Sequence, residues 1–189
     1  MACALTTGIA LDCKTAIGGV KSVRFTSLAN YLALSGAVSG GQITAFGSAS
    51  TVFFKYDQLK ETSSLTDTFV VTRSTGGLHY TPSVTVVLSK MATNKRNEIK
   101  LLAQNLVVAI VETHDTDANG NFGYWVVGAA NGLDLMEGSG ATGTAAADLN
   151  GYTLKFDGIE PEQIFKLAPT SGTIAAMLAS ITSSTQITS

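Results

Sequence analysis

A long segment of strand-like alternation, residues 59–90, constrains the fold more than any other part of the sequence. Apolar and hydroxyl-bearing side chains alternate in it with a period of two, as they do in a β-strand with two different faces. The alternation is interrupted at Ser74-Thr75-Gly76-Gly77, where glycines can supply the positive φ angles of a tight turn. The segment therefore predicts two long strands joined as a hairpin. Because a lone hairpin is marginal in water, we expect it to pack on other elements or to join a larger sheet.

The two faces of the predicted hairpin differ in chemistry. One face is largely apolar, and the other carries mostly threonine and serine. The hydroxyl-bearing positions are Thr66, Thr68, Thr72, Thr81, Ser83 and Thr85. One interpretation is the solvated outer face of an ordinary β-sandwich. The other is the lining of a wet channel, because neutral hydroxyl groups hold water without binding charged groups, and the hairpin alone does not favour either.

The composition is typical of a single domain that assembles with other subunits. A chain of 189 residues can bury roughly 70% of its unfolded surface, so we expect one domain over residues 1–189 with a Ser/Thr-rich tail at about 170–189. Charged residues make up 14% of the chain, against about 25% in typical soluble domains. A charge-poor surface is common where much of it is covered in an assembly. The net charge of −2 argues against binding nucleic acid through its phosphates.

Neither the cysteines nor the apolar segments predict a metal site or a membrane anchor. Cys3 and Cys13 lack the CxxC spacing and the histidine partners of a zinc site, and they are expected to be free thiols or, alternatively, a disulfide. The first residues lack the basic stretch and the long apolar segment of a signal peptide, so none is expected. No apolar run is long enough to span a bilayer.

The rest of the chain is predicted to be mainly β. Strands are predicted over residues 6–11, 22–28, 42–47, 51–56, 106–112, 121–128 and 152–157. Residues 30–41 and the glycine-rich residues 132–151 are predicted to be mostly irregular. From residue 172 onward the tail contains a short stretch of helical spacing, and its members are Ile174, Met177, Leu178 and Ile181.

One amphipathic helix is predicted over residues 94–105, flanking the sheets. Its apolar stripe comprises Ile99, Leu102, Ala103 and Leu106, at spacings of three and four. Thr93 or Asn94 is the expected N-cap. Lys95 and Arg96 oppose the helix dipole at the positive end. They are therefore either a solvated basic turn or a contact with a neighbouring subunit.

No motif in the sequence predicts catalysis. Residues 115–120 match the first half of a calcium loop, but Val126 stands where the bidentate Glu belongs, so a hairpin turn is the better interpretation. Residues 138–143 have the glycines of a phosphate-binding loop without its Lys-Ser/Thr ending. No nucleophile elbow or zinc-protease helix is present. We therefore expect a protein that is not an enzyme and that has no cofactor and no metal.

Several segments, in this order along most of the chain, resemble a family of phage virion proteins. The first segment is the opening MAC-x-LT-x-G, followed by Asp12-Cys13-Lys14 and Gly18-Gly19-Val20-Lys21. The second is residues 96–105, which precede an apolar strand. The third comprises Gly132-Leu133-Asp134-Leu135, Gly140-x-x-Gly143-Thr144 and Asp148-x-Asn150-Gly151-Tyr152. The resemblance is to the tail tube subunits of long-tailed phages, which stack as rings into a hollow tube.

The resemblance implies a β-sandwich or barrel with a flanking helix, whose inner sheets join around a ring to form a continuous barrel. The hairpin would then supply inner strands with its hydroxyl positions facing the lumen, and Lys95 and Arg96 would contact a neighbouring subunit. Partners would be further copies of the chain, other tail proteins, and phage DNA that passes without specific binding. The protein would be made in the host cytoplasm, reside in the virion and contact no membrane. Two alternatives remain, namely a capsid decoration, connector or ring protein and a secreted adhesin or carbohydrate-binding module.

Overall fold

The computed structural model describes residues 8–9, 17–34, 36–47, 51–74, 76–116, 121–170 and 172–181. Strands dominate this part of the chain, as predicted. The strands are β1 (Val20–Ser27), β2 (Ala37–Ser39), β3 (Gln42–Ala45), β4 (Phe54–Asp57), β5 (Ser64–Thr72), β6 (Gly77–Ser89), β7 (Val107–Thr116), β8 (Phe122–Val127), β9 (Asp134–Ala141), β10 (Gly151–Asp157) and β11 (Phe165–Leu167). The helices are α1 (Leu28–Ala33), α2 (Thr93–Gln104) and α3 (Ile174–Ala179). The prediction of a single flanking helix was wrong, because α1 and α3 accompany α2.

The strands form two open sheets. The larger has seven strands in the order β2-β3-β11-β8-β7-β1-β4, and the smaller has four in the order β5-β6-β10-β9. Nearly all neighbouring strands are antiparallel, the exception being the parallel pair of β11 with β3. Within the described part of the chain neither sheet closes on itself, so each ends in two strands that have a neighbour on one side only.

The two sheets share one apolar core. Phe25 of β1 lies against Phe156 of β10 with ring centroids 4.7 Å apart, and Tyr56 of β4 meets the edge of the same Phe25 ring. Val84 and Val86 of β6 are fully buried in this core. Burying apolar surface at roughly 25 cal/mol per Å² is what holds the sheets together.

A second core covers the other face of the seven-stranded sheet. Val108 and Ile110 of β7 point into it, where they meet Leu34 at the end of α1 and Leu178 of α3. The alternate residues of β7 face the first core, so this strand is buried on both sides. Its apolar sequence, residues 107–111, is what such burial requires. Within the described residues, only the seven-stranded sheet has helices packed across one face in this way.

The predicted hairpin is present with the predicted alternation. β5 pairs with β6 over its whole length, from Ser64 opposite Thr85 to Thr72 opposite Gly77. Gly76 adopts a φ of 66° in the turn, and Gly77 already belongs to β6. The hairpin therefore joins the four-stranded sheet, with its apolar face toward the first core.

The prediction that residues 132–151 are irregular was wrong for their first half, which forms β9. Glycine is unfavourable in strands, so a stretch containing Gly138 and Gly140 does not resemble one. The structure gives the reason for the glycine, because the ring of Tyr152 on β10 lies where a side chain at position 140 would be. Strand β9 is thus a strand that needs small residues on its inner side.

Other segments differ from prediction in smaller ways. Residues 30–41, predicted as a loop, contain most of α1 and all of β2. The N-cap of α2 is Ala92, and no side chain caps this helix end. Leu102 of α2 is buried in the first core as its position in the apolar stripe predicts. The predicted strand at 6–11 and both cysteines lie outside the described residues, apart from Gly8 and Ile9, which are in no strand.

We predict that Gly151→Ala destabilises the fold by about 1–3 kcal/mol, the usual cost of overpacking. A Cβ at this position would collide with the backbone carbonyl of Leu88 on β6, which cannot rotate away. Gly138→Ala is the matched control, because its Cβ would meet only the tip of Leu154 at 3.4 Å. Urea unfolding of the three proteins measures the difference, and equal midpoints would contradict the β10–β6 register.

Candidate functional site

The six hydroxyl-bearing residues singled out in the sequence lie together on the face of the four-stranded sheet that is opposite the first core. Thr66 lies directly opposite Ser83, and Thr68 opposite Thr81. Thr66, Thr68 and Thr72 are exposed, while Thr81, Ser83 and Thr85 are half-buried between their neighbours. We call this surface, with the same-face residues of β9 and β10, the hydroxyl face.

Strands β10 and β9 add charged side chains to the hydroxyl face. Lys155 lies between Thr85 of β6 and Glu137 of β9. Asp157 lies between Ser83 and Asp134 in the next row. The face is therefore not neutral, since it contains three carboxylates and one ammonium group.

The ammonium group on this face is already paired. Lys155 Nζ lies 3.0 Å from Asp157 Oδ2. The hydrogen bond to Asp157 and its negative charge raise the pKa of Lys155, so the lysine remains protonated at neutral pH. Because this lysine is held by its own carboxylate, the remaining charge on the face is that of Asp134 and Glu137. A nearby polyanion would be repelled rather than bound.

The charged part of the face was not predicted from the sequence. The signal in β10 was present, because Thr153, Lys155 and Asp157 alternate with the core residues Leu154 and Phe156. It could not be connected to the hairpin without knowing that β10 pairs with β6. The carboxylates of β9 had no usable signal, since that segment did not resemble a strand.

The four-stranded sheet that carries the hydroxyl face ends in β5 on one side and β9 on the other. Each of these strands has one neighbour and therefore presents a row of backbone N–H and C=O groups without a strand partner in the described chain. β5 carries no lysine or arginine, and β9 none either, although such charges are a common means of blocking an edge. No described strand therefore occupies either edge.

Lys95 and Arg96 lie at the start of α2, away from the hydroxyl face. Lys95 Nζ donates a hydrogen bond to the carbonyl oxygen of Ser89, 2.5 Å away, at the end of β6. Arg96 is exposed. Lys95 is therefore engaged within its own chain, and a contact of either residue with a neighbouring subunit stays a prediction.

The described residues contain no group of three or more side chains suited to hold a metal ion. They also contain no helix long and apolar enough to cross a membrane. The calcium-like segment lies between the antiparallel strands β7 and β8, and its residues 117–120 fall outside the described part. A cavity of about 330 Å³ lies beside Trp125 and Lys166, and no cluster of catalytic groups converges in it among the described residues.

The densest charged cluster surrounds Glu112 of β7, which is 4% exposed. Its carboxylate lies 2.8 Å from Lys21 Nζ, accepts a 2.7 Å hydrogen bond from Ser22 Oγ and lies 3.3 Å from Arg24 Nη1. Burial alone raises the pKa of Glu112, but the hydrogen bonds from Lys21 and Ser22 and the charge of Arg24 outweigh it and lower the pKa. The cluster joins β1 to β7, so it stabilises the pairing of these two strands in the large sheet.

Comparisons with protein-family models, with curated proteins and with solved structures each gave no match to this chain. The functional interpretation therefore rests on the geometry of the hydroxyl face and on the resemblance in the sequence.

We predict that acid weakens the fold partly through Glu112. Its pKa is lower in the folded chain than the usual 4.5. Its contribution to the free energy of unfolding is therefore complete above pH 4.5 and is lost as the pH falls through the folded pKa. Glu112→Gln should cost about 3 kcal/mol at neutral pH, because it leaves buried Arg24 without its counter-charge. It should also flatten the acid side of the stability profile.

Urea unfolding at a series of pH values measures this effect. Glu137→Gln on exposed β9 is the control and should leave the profile unchanged. A Glu112→Gln protein that loses stability in acid as steeply as the unmodified chain would contradict the assignment.

Proposed function

We propose that this chain is a structural subunit of a phage virion that assembles into stacked rings, forming a tail tube through which DNA is ejected. The observation that carries the proposal is the hydroxyl face, a solvated and weakly acidic surface on a sheet with two open edges. The resemblance of the sequence to tail tube subunits supports the same function.

The chemistry of the face suits a channel that DNA must cross without being held. Each phosphate that pairs with a lysine or arginine releases counterions and adds to affinity, which would retard a passing duplex. The hydroxyl groups of β5 and β6 offer hydration without positive charge. The carboxylates of Asp134 and Glu137 add repulsion, and the ammonium group of Lys155 is held by Asp157.

The edges supply a way to close a ring. β5 of one copy can pair with β9 of the next, which continues the sheet through backbone hydrogen bonds. Repeated around a rotation axis, this heterologous contact closes into a ring whose inner wall is a barrel built from four strands per copy. The hydroxyl face is then the inner surface, because the opposite face of the same sheet is occupied by the first core.

We predict that cysteines on the two edges form disulfides between copies. The variant carries Thr66→Cys or Thr68→Cys together with Ser139→Cys, with Cys3 and Cys13 replaced by serine. Within one chain β5 and β9 are three strand spacings apart, roughly 14 Å, which is too far for a disulfide. Oxidation should therefore give a ladder of covalent multimers on a denaturing gel.

The control for this experiment places the first cysteine on the central strand instead. Thr81→Cys with Ser139→Cys should give no ladder, because β6 is flanked on both sides within its own sheet. A protein that stays monomeric in sedimentation at high concentration, with no cross-links at either edge position, would exclude the ring.

We predict that two lysines on the hydroxyl face slow DNA ejection without preventing assembly. Thr68 is exposed and Ser83 half-buried, so Thr68→Lys with Ser83→Lys should still give tubes, and the new ammonium groups should bind DNA in a salt-dependent manner. Glutamine at both positions is the control for side-chain length. Ejection kinetics of particles carrying each variant measure the effect, and normal ejection with the lysines would mean that this face does not line the channel.

A further inference from the structure

The end of the β5–β6 hairpin carries an uncovered apolar surface. Phe69, Val71 and Leu78 share the core-facing side of the hairpin, yet they are 53–67% exposed. They are exposed because β9 and β10 reach only as far as Ser83 of β6, apart from one bridge between Tyr80 and Glu160. The rest of the hairpin projects beyond the sheet. We call these three residues the hairpin tip.

A groove with apolar walls lies between β4 and α2. Its volume is about 440 Å³, and its apolar lining comes from Phe54, Tyr56, Leu88, Ile99 and Leu101. Phe54 and Leu101 are about half exposed, so the walls of the groove are open to solvent. We call it the end groove.

The hairpin tip and the end groove lie at opposite ends of the same strand. Leu78 is near the beginning of β6, whereas Leu88, in the wall of the groove, is near its end. Ten residues of extended chain separate these two positions by roughly 34 Å. A contact between tip and groove therefore cannot form within one chain. Between two copies it joins unlike surfaces, so it propagates along the direction of β6.

The charges around the two surfaces are complementary. Arg73 is exposed in the turn beside the tip, and Glu98 of α2 lies in the wall of the groove. Neither has an ion-pair partner among the described residues. Two lysines line the groove beside Glu98, but Lys55 pairs with Asp57 and Lys95 donates a hydrogen bond to the carbonyl oxygen of Ser89. A hairpin tip that docks in the end groove brings Arg73 of one copy close to Glu98 of the other.

We infer that the hairpin tip of one copy docks into the end groove of a second copy and that this contact stacks one ring on the next. The inference rests on the proposed tube, to which it adds the surfaces that stack the rings. It assigns β5 and β9 edges to closure within a ring and the tip and groove to contact between rings. Filling the groove with Phe69 buries apolar surface that is exposed on both partners.

The test uses one variant of each surface in the full chain. Phe69→Ser removes the tip, Leu101→Ser alters the groove, and Val70→Ser is the control on the opposite side of β5. All three changes are at exposed or half-buried positions, and urea unfolding checks that each protein folds. Electron microscopy and sedimentation then count tubes, stacked rings and single rings.

At concentrations where the unmodified chain forms tubes, each surface variant should give single rings, and it should raise the protein concentration needed for tube growth about tenfold or more. Rings assembled separately from each variant and then mixed should give pairs of rings but no tubes, because the intact tip of a Leu101→Ser ring can dock only into the intact groove of a Phe69→Ser ring. Arg73→Glu and Glu98→Arg should each weaken stacking, and combining them in one chain should restore it. The control should assemble as the unmodified chain does.

Other outcomes separate this inference from the proposed function. Tubes formed equally well by both surface variants would overturn the docking, and would leave the tip and groove to other partners, while the ring proposal stands. An unmodified chain that forms no rings at all would overturn the proposed tube and this contact with it. Full tubes formed from such a mixture of preassembled rings would show that the contact is not between tip and groove.

Discussion

The four-stranded sheet packs on the centre of the seven-stranded sheet, with Phe25 against Phe156 between them. This packing decides which surfaces of the two sheets are left exposed in the described part of the chain. The large sheet has helices α1 and α3 packed on its second face, so its strand β7 is buried on both sides over residues 107–111. The small sheet packs on the large one through one face, and its other face carries the hydroxyl groups. Among the described residues its edge strands, β5 and β9, each pair on one side only.

Two kinds of contact surface are separated in space by this arrangement. The edges of the small sheet run parallel to its strands, while the hairpin tip and the end groove lie beyond the strand ends. Pairing at an edge uses backbone hydrogen bonds and is insensitive to most side chains, whereas docking at an end depends on a few apolar side chains. In the proposed tube, substitutions could thus affect contacts within a ring without affecting contacts between rings.

The alternating pattern of the hairpin and the apolar run of β7 were sufficient to predict those strands. The period of two and the degree of burial can both be inferred from the residue types of these segments alone. The pattern failed at β9 and β11. β9 is glycine-rich because Tyr152 of another strand covers it, and β11 has three residues, too few for a period. Both depend on partners distant in sequence. The charged part of the hydroxyl face was missed for the same reason, because Glu137 reaches it only through the pairing of β9 with β10.

The position of β11 has a consequence for the order in which the protein can be made. This strand inserts between β3 and β8, and it is the only link between them in the described part of the large sheet. During synthesis the sheet remains in two pieces, with β3 and β8 lacking their shared neighbour, until Leu167 has left the ribosome. The hairpin, whose strands are adjacent in sequence, can form long before that. Completion of the large sheet therefore comes later than formation of the hairpin, and it cannot precede the synthesis of β11.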